Sequence, residues 1–168
     1  IEVSVVPMLK DKEGRMSSSR IRSALKEGEL EIAKKLMGRA YRFRGRVVSG
    51  QGLGRKLGWP TANLQVDGRK FLPGQGVYAA WVWTKEKVLP FSAVMNLGPQ
   101  PTINPSSPSA VEVHLINEKI ELSGKELIVE PIQRLRGQKR FTTLGELSTQ
   151  IGLDANFAQK ILDKIKTH

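Results

Sequence analysis

A mainly β fold, an antiparallel barrel or sandwich with helices confined to its two ends, follows from three observations. Runs rich in β-branched and aromatic residues begin at Tyr41 and recur to about residue 133, each bounded by Gly or Pro. No helical period separates them, which argues against a parallel, doubly wound sheet. Helical spacing occurs only before residue 38 and from Leu144 onward.

Each element has its own local reason. Ser17, Ser18 and Ser19 offer capping hydroxyls, and Ile21 with Leu25, then Ile32 with Leu36, recur at helical spacing over residues 17–37. Gly28 divides that stretch into two short helices. Strands are predicted at 41–49, 76–84, 90–97, 110–116 and 126–133, with a short sixth as an option around 119–122. Pro60 fixes its own φ and biases Trp59 towards extended backbone, so Thr61 and Asn63 follow on a strand, two positions apart and on one side. At the far end Leu144, Leu147 and Ile151 form one apolar stripe. Asp154 then caps a last helix with Phe157, Ile161 and Ile165 as its stripe.

Composition bounds the rest. The 168 residues fit one compact domain, and the absence of cysteine excludes disulfides, thiolate metal sites and cysteine nucleophiles. No apolar run approaches the roughly 20 residues of a membrane helix. The chain opens on Ile1 without a cationic, apolar leader, which reads as a piece excised from a longer protein. With 27 Lys+Arg against 16 Asp+Glu the net charge is +11, which suits anionic partners. The cations are spread in pairs and triplets, however, and few aromatics accompany them. That pattern favours a small anionic substrate or a solvated basic face over nucleic acid.

Two segments carry chemistry. Gly50, Gly52, Gly54 and Gly58 bracket a stretch holding Arg55 and Lys56. Leu57 follows Lys56, so it is no Walker loop, and Arg55 stands where a dinucleotide fingerprint needs glycine. What remains is a loop whose backbone can approach an anion closely, or a plain glycine-rich hairpin. The Thr61 hydroxyl and Asn63 amide oxygen are donors suited to a hard cation such as Mg²⁺; the alternative is two turn-capping side chains. Farther on, Val111-Glu112-Val113-His114-Leu115 alternates, placing Glu112 and His114 on one face of a strand and the apolar residues on the other. A carboxylate so placed can take a proton from an alcohol during phosphoryl transfer, or simply be solvated.

Gly50 to Asn63 with its Trp-Pro-Thr-Ala-Asn ending, then Asn96-Leu97-Gly98, Val111 to Leu115, Leu135-Arg136 and Phe141 together resemble the riboflavin kinase family, over about Tyr41 to Ile165. Ser17-Ser18-Ser19-Arg20-Ile21-Arg22 is similar to the closing Ser-Ser-Thr-x-x-Arg motif of the nucleotidyltransferase module that precedes the kinase in bacterial bifunctional FAD synthetases, with Ser19 in place of Thr. No His-x-Gly-His signature is present in this chain.

The resemblance implies a six-stranded antiparallel Greek-key barrel with a C-terminal helix and short N-terminal helices. Residues 1–38 would be a remnant of the preceding module and its linker, and 39–168 the kinase barrel. It implies a cytoplasmic enzyme that makes FMN and ADP from riboflavin and ATP, with an FMN adenylyltransferase module ahead of it and neither nucleic acid nor membrane as partner. Thr61 and Asn63 would bind Mg²⁺ and the phosphates, while Gly50, Gly52 and Gly54 close over ATP with Lys56, or else Arg55, as the loop cation. Glu112 would be the base, Leu115 and Asn117 would line the adenine pocket, and Arg136, Lys139 and Phe141 would contact the flavin. Ser123 stands where some members carry a tyrosine near the nucleotide. Two rival readings remain: a flavin-binding or regulatory module without catalysis, and an OB-like nucleic-acid binder with Trp81 and Trp83 as its stacking face.

Overall fold

The computed structural model describes residues 10–11, 14–15, 17–50, 52–98 and 111–166. Gln51 and Ala110, which belong to segments discussed above, lie outside that set, as does much of 1–16. A two-stranded ribbon, β1 (Lys10–Asp11) and β2 (Gly14–Arg15), comes first. Then follow α1 (Ser18–Glu27) and α2 (Leu30–Met37). Ser17 caps α1, its hydroxyl accepting from the Arg20 amide, and Gly28 ends the helix in the left-handed conformation at φ 79°.

Six strands make a closed barrel: β3 (Phe43–Val48), β4 (Ala62–Gln65), β5 (Gly76–Trp83), β6 (Phe91–Leu97), β7 (Val111–Leu115) and β8 (Glu126–Arg136). They pair in the order β3-β4-β7-β6-β5-β8, every pair antiparallel, with crossovers between β4 and β5 and between β7 and β8. Closure leaves no free sheet edge. The inward faces, among them Phe43, Leu64, Tyr78, Met95, Val113 and Leu127, form the main core. Ala24, Leu25, Leu30 and Ala33 of the N-terminal helices pack into that same core.

The structure corrects the sequence reading in four places. The sixth strand is Ala62–Gln65, not 119–122. Ala62 and Leu64 bury into the barrel, whereas Asn117, at φ 59°, turns the chain out of β7 and leaves 119–122 in a loop. Second, β8 runs on to Arg136, because bulges opposite Val77/Tyr78 and Ala79/Ala80 reset its alternation beyond Pro131. Ile132 and Leu135, three apart, consequently both face outward against the C-terminal helix.

Third, the C-terminal segment is one continuous helix, α4 (Leu144–Lys166), interrupted neither at Gly152 nor at Asp154. Asp154 is buried in mid-helix, and the stripe that docks is Ala155, Ala158 and Leu162, while Phe157 is 51% exposed and Ile165 46%. These small residues let α4 lie close on Val77, Ala79 and Trp81 of β5 and Val94 of β6. That contact explains why β5 is buried on both faces. It also covers Trp81, which is 7% exposed with the Lys166 ammonium 4.8 Å over its ring, so this indole offers no open stacking face. Fourth, the glycine-rich stretch is a single helical turn, α3 (Leu53–Lys56), entered through Gly52 at φ 67°. Among the described residues no helix is long and apolar enough to cross a membrane.

Candidate active site

A cleft of about 520 Å³ opens where the end of β3, the glycine-rich turn, β4 and the 118–123 loop meet. Gly50, Gly52, Arg55, Thr61, Asn63 and Leu115 line it. Thr61 stands one residue before β4 and shares its outer side with Asn63, because Ala62 and Leu64 take the inner side. The glycines let the loop lie directly on these side chains. A Cβ at Gly50 would fall 1.9 Å from the Asn63 amide nitrogen, and one at Gly54 would fall 3.1 Å from the Thr61 hydroxyl and 2.4 Å from the Trp59 carbonyl oxygen. Consecutive residues of a helical turn diverge by about 100°. Arg55 accordingly lines the cleft, and Lys56 is not among the lining residues.

Glu112 is not itself among the lining residues; it is the strand partner of Asn63, which is, and strand register shows what flanks it. One row of Cα partners runs across five neighbouring strands: Asn63 on β4, Glu112 on β7, Asn96 on β6, Val77 on β5 and Arg136 on β8. Side chains of such a row share a face, here the outer one. Half-buried there, the Glu112 carboxyl has its pKa pushed up by desolvation from its ordinary 4.5. The cleft loop holds both signs: Glu118 with Lys119, and Glu121, whose carboxylate accepts from the Ser123 amide at 2.8 Å. No cluster of three His, Asp or Glu side chains able to hold a metal by itself exists among the described residues.

The residues assigned to the flavin lie on the other side of Glu112. Gln138 donates to the Asn96 side-chain oxygen at 2.9 Å and to the Leu97 carbonyl at 2.8 Å, which ties the 137–141 segment to the strand beside Glu112. Phe141 has two cations near its ring centre, Arg136 at 6.0 Å and Lys139 at 5.7 Å. Arg136 is also gripped by Asp154, with N–O distances of 2.7–3.1 Å, and Gln150 donates to the same carboxylate at 3.0 Å. Asn117, exposed at its left-handed turn, is not among the cleft-lining residues. His114 is buried, its Nδ1–H donating to the Pro60 carbonyl at 2.8 Å.

The sequence reading quoted Asn96 only within the Asn96-Leu97-Gly98 segment of the resemblance, without a place in the site, and gave no site role to Gln138 or to the 118–121 residues. Asn96 left a signal, as a lone amide in the otherwise apolar second half of Phe91–Leu97. A second cleft, between α1, residues 68–75 and Arg134 of β8, collects Arg22, Lys26, Arg69 and Lys70 but none of the residues singled out above for chemistry.

A closed antiparallel barrel that carries a glycine-loop cleft on its outer face, beside one half-buried carboxylate, defines a small-ligand barrel with equipment for proton transfer. Comparison with known proteins narrows this class. The riboflavin kinase (flavokinase) family profile matches residues 37–162, and the chain belongs to that family. Bifunctional riboflavin kinase/FMN adenylyltransferases are similar to it: 38% identity over 145 residues for that of Haemophilus influenzae (86% of this chain, 46% of the relative). For the Bacillus subtilis protein identity is 32% over 166 residues, covering 97% and 52%, and for that of Escherichia coli K12 it is 37% over 153 residues, covering 90% and 48%. The chain thus spans about half the length of these relatives. A solved structure titled a macrolide-efflux protein from Streptococcus pneumoniae superposes with TM-score 0.81 at 30% identity, over 92% of this chain and 50% of that one.

Proposed function

We propose that this chain is an ATP-dependent riboflavin kinase module that transfers the γ-phosphate of ATP to the 5′-hydroxyl of riboflavin, giving FMN and ADP. One observation carries the reading: Glu112 lies in a single register row between Asn63 of the glycine-loop cleft and Asn96, to which the 137–141 segment is bonded. A base so placed faces a phosphate donor on one side and an alcohol acceptor on the other. Phosphoryl transfer leaves little covalent work to the protein, so positioning and charge neutralisation dominate.

Within this reading the Gly50–Gly58 loop lies over the triphosphate and Arg55, rather than Lys56, neutralises part of its charge. Leu115 borders the base, while Phe141, with Arg136 and Lys139 around it, takes the flavin side. Glu112 accepts the hydroxyl proton as the oxygen attacks; its raised pKa makes it a better proton acceptor than an ordinary carboxylate. Thr61 and Asn63 fit Mg²⁺: two neutral oxygen donors side by side, with no acid cluster to complete the shell, suit an ion that keeps waters and shares phosphate oxygens. When bound, that ion neutralises charge on the phosphates.

In the whole protein, residues 1–38 would close a preceding module that adenylylates FMN to FAD, and 39–168 would be the kinase, working in the cytoplasm. The test is direct: the protein is incubated with ATP, Mg²⁺ and riboflavin, and FMN is sought by chromatography. Flavin binding without FMN formation would favour the inactive flavin-binding module instead. An Asn63→Ala variant should need a much higher Mg²⁺ concentration for the same rate, and an unchanged Mg²⁺ titration would remove Asn63 from the metal site.

A further inference from the structure

Trp59 lies outside the cleft lining, yet hydrogen bonds and ring contacts hold it from several sides. Its amide donates to the Gly54 carbonyl at 2.8 Å. Its indole N–H reaches across to α4 and donates to the Ser148 hydroxyl at 3.0 Å. The ring lies against Gly152, where a Cβ would come within 3.1 Å of it, and His114 meets it edge-on at 5.5 Å. His114 in turn holds the Pro60 carbonyl. The next residue in the chain is Thr61, and Ala62 after it is buried in the barrel. Backbone on both sides of Thr61 is therefore pinned, on one side by a helix that supplies no lining residue to the cleft.

We infer that Trp59 is a positioning residue: its hydrogen bond to Ser148 of α4 sets the direction in which Thr61 and Asn63 present their oxygens to the nucleotide, so that the C-terminal helix governs ATP affinity. The inference rests on reading the cleft as the nucleotide site. Losing one neutral hydrogen bond that acts through orientation corresponds to a change of about three- to tenfold in affinity. Glu112 and the 137–141 segment share no hydrogen bond or ring contact with Trp59 or Ser148, so kcat and the riboflavin KM stay within about twofold.

The test is a double-mutant cycle on the intact chain. Trp59→Phe keeps an aromatic ring and removes the N–H; Ser148→Ala removes the acceptor; Ser148→Thr retains it. The dissociation constant for ATP, by calorimetry, and the ATP KM should rise about three- to tenfold in Trp59→Phe and in Ser148→Ala, no further in the double variant, and return near the starting value in Ser148→Thr. Gly152→Ala, which pushes on the ring and leaves the bond partners in place, should shift ATP affinity in the same direction. Fully additive single effects, an unchanged ATP affinity, or an equal rise in riboflavin KM would overturn the inference. Failure of the starting protein to bind ATP at all would overturn the reading of the cleft as well, and the calorimetry separates these two failures.

Discussion

At the scale of single residues, Glu112 carries the sharpest consequences. Burial raises its pKa, so the charged form needed for proton acceptance is disfavoured in the fold. Two expectations follow with opposite signs. Glu112→Gln should turn over at least ~10²-fold more slowly while still binding both substrates, measured by steady-state kinetics beside flavin and nucleotide titrations. The same variant should be no less stable at neutral pH. A carboxyl whose folded pKa is raised stabilises the fold only while protonated, and that contribution is lost as pH rises through the folded value. At neutral pH the wild type therefore bears an unfavourable buried charge that Gln lacks. For catalysis the acid limb of kcat/KM should lie above 4.5, the ordinary glutamate value, since the base must be deprotonated. A limb at or below that value would show that another group accepts the proton.

The loop cations separate in the same way. Arg55→Ala should raise the ATP KM severalfold, whereas Lys56→Ala should leave it near the wild-type value, because one turn of helix directs only the first of the pair into the cleft. The reverse order would restore Lys56, the residue that the family resemblance favours. Gly50 tests the close approach: Gly50→Ala would place a methyl 1.9 Å from the Asn63 amide nitrogen, and the displaced amide should reproduce the raised Mg²⁺ requirement of Asn63→Ala.

Among the elements, α4 has the most to hold together. Asp154 is buried at its middle and meets Arg136 from the end of β8, so helix and strand are locked by a charge pair inside a largely apolar contact. Arg136→Ala should cost about 3–5 kcal/mol in denaturant unfolding, because it leaves an uncompensated buried carboxylate with only Gln150 for a partner. The paired change Arg136→Met with Asp154→Leu should recover most of that loss. Recovery of stability without recovery of riboflavin binding would show Arg136 serving the flavin as well as the fold. An aspartate after a run of helical spacing reads locally as a cap, and nothing in α4's own sequence announces that a guanidinium 18 positions earlier will bury it. Strand β4 was half legible: Pro60 and the Thr61/Asn63 spacing predicted extended backbone there. Its place in the barrel depended on β7, whose Val111, Glu112 and Val113 pair with it in register.

Over the whole molecule, the barrel works as a frame that converts sequence distance into adjacency. Asn63, Glu112, Asn96 and Arg136 fall in one row, and four steps between neighbouring strands amount to about 19 Å of curved sheet. That span is commensurate with a nucleotide phosphate chain and a flavin meeting over one carboxylate. Leu162, fully buried where α4 meets the barrel, packs in an apolar cluster that contains none of the row's polar residues. Leu162→Ala should lower stability by about 2–5 kcal/mol and leave the ATP KM unchanged. A large KM change would mean that α4 docking as a whole, and not the Trp59 bond alone, sets nucleotide affinity.

What the sequence determined by itself is whatever depends on neighbours along the chain: the β alternation, the serine cap, the turn glycines, and the Trp-Pro-Thr-Ala-Asn and Glu-x-His segments that mark the family. Those follow from sterics and side-chain period within a few residues. The tertiary structure alone decided that Arg55 and not Lys56 lines the cleft, that 118–123 borders it as a loop, that Gln138 ties the 137–141 segment beside Glu112, and that Asp154 closes an ion pair instead of a helix end. Each is a relation between residues far apart in sequence. The closing of the barrel and the docking of α4 fix such relations through burial and charge pairing, which local propensity does not encode.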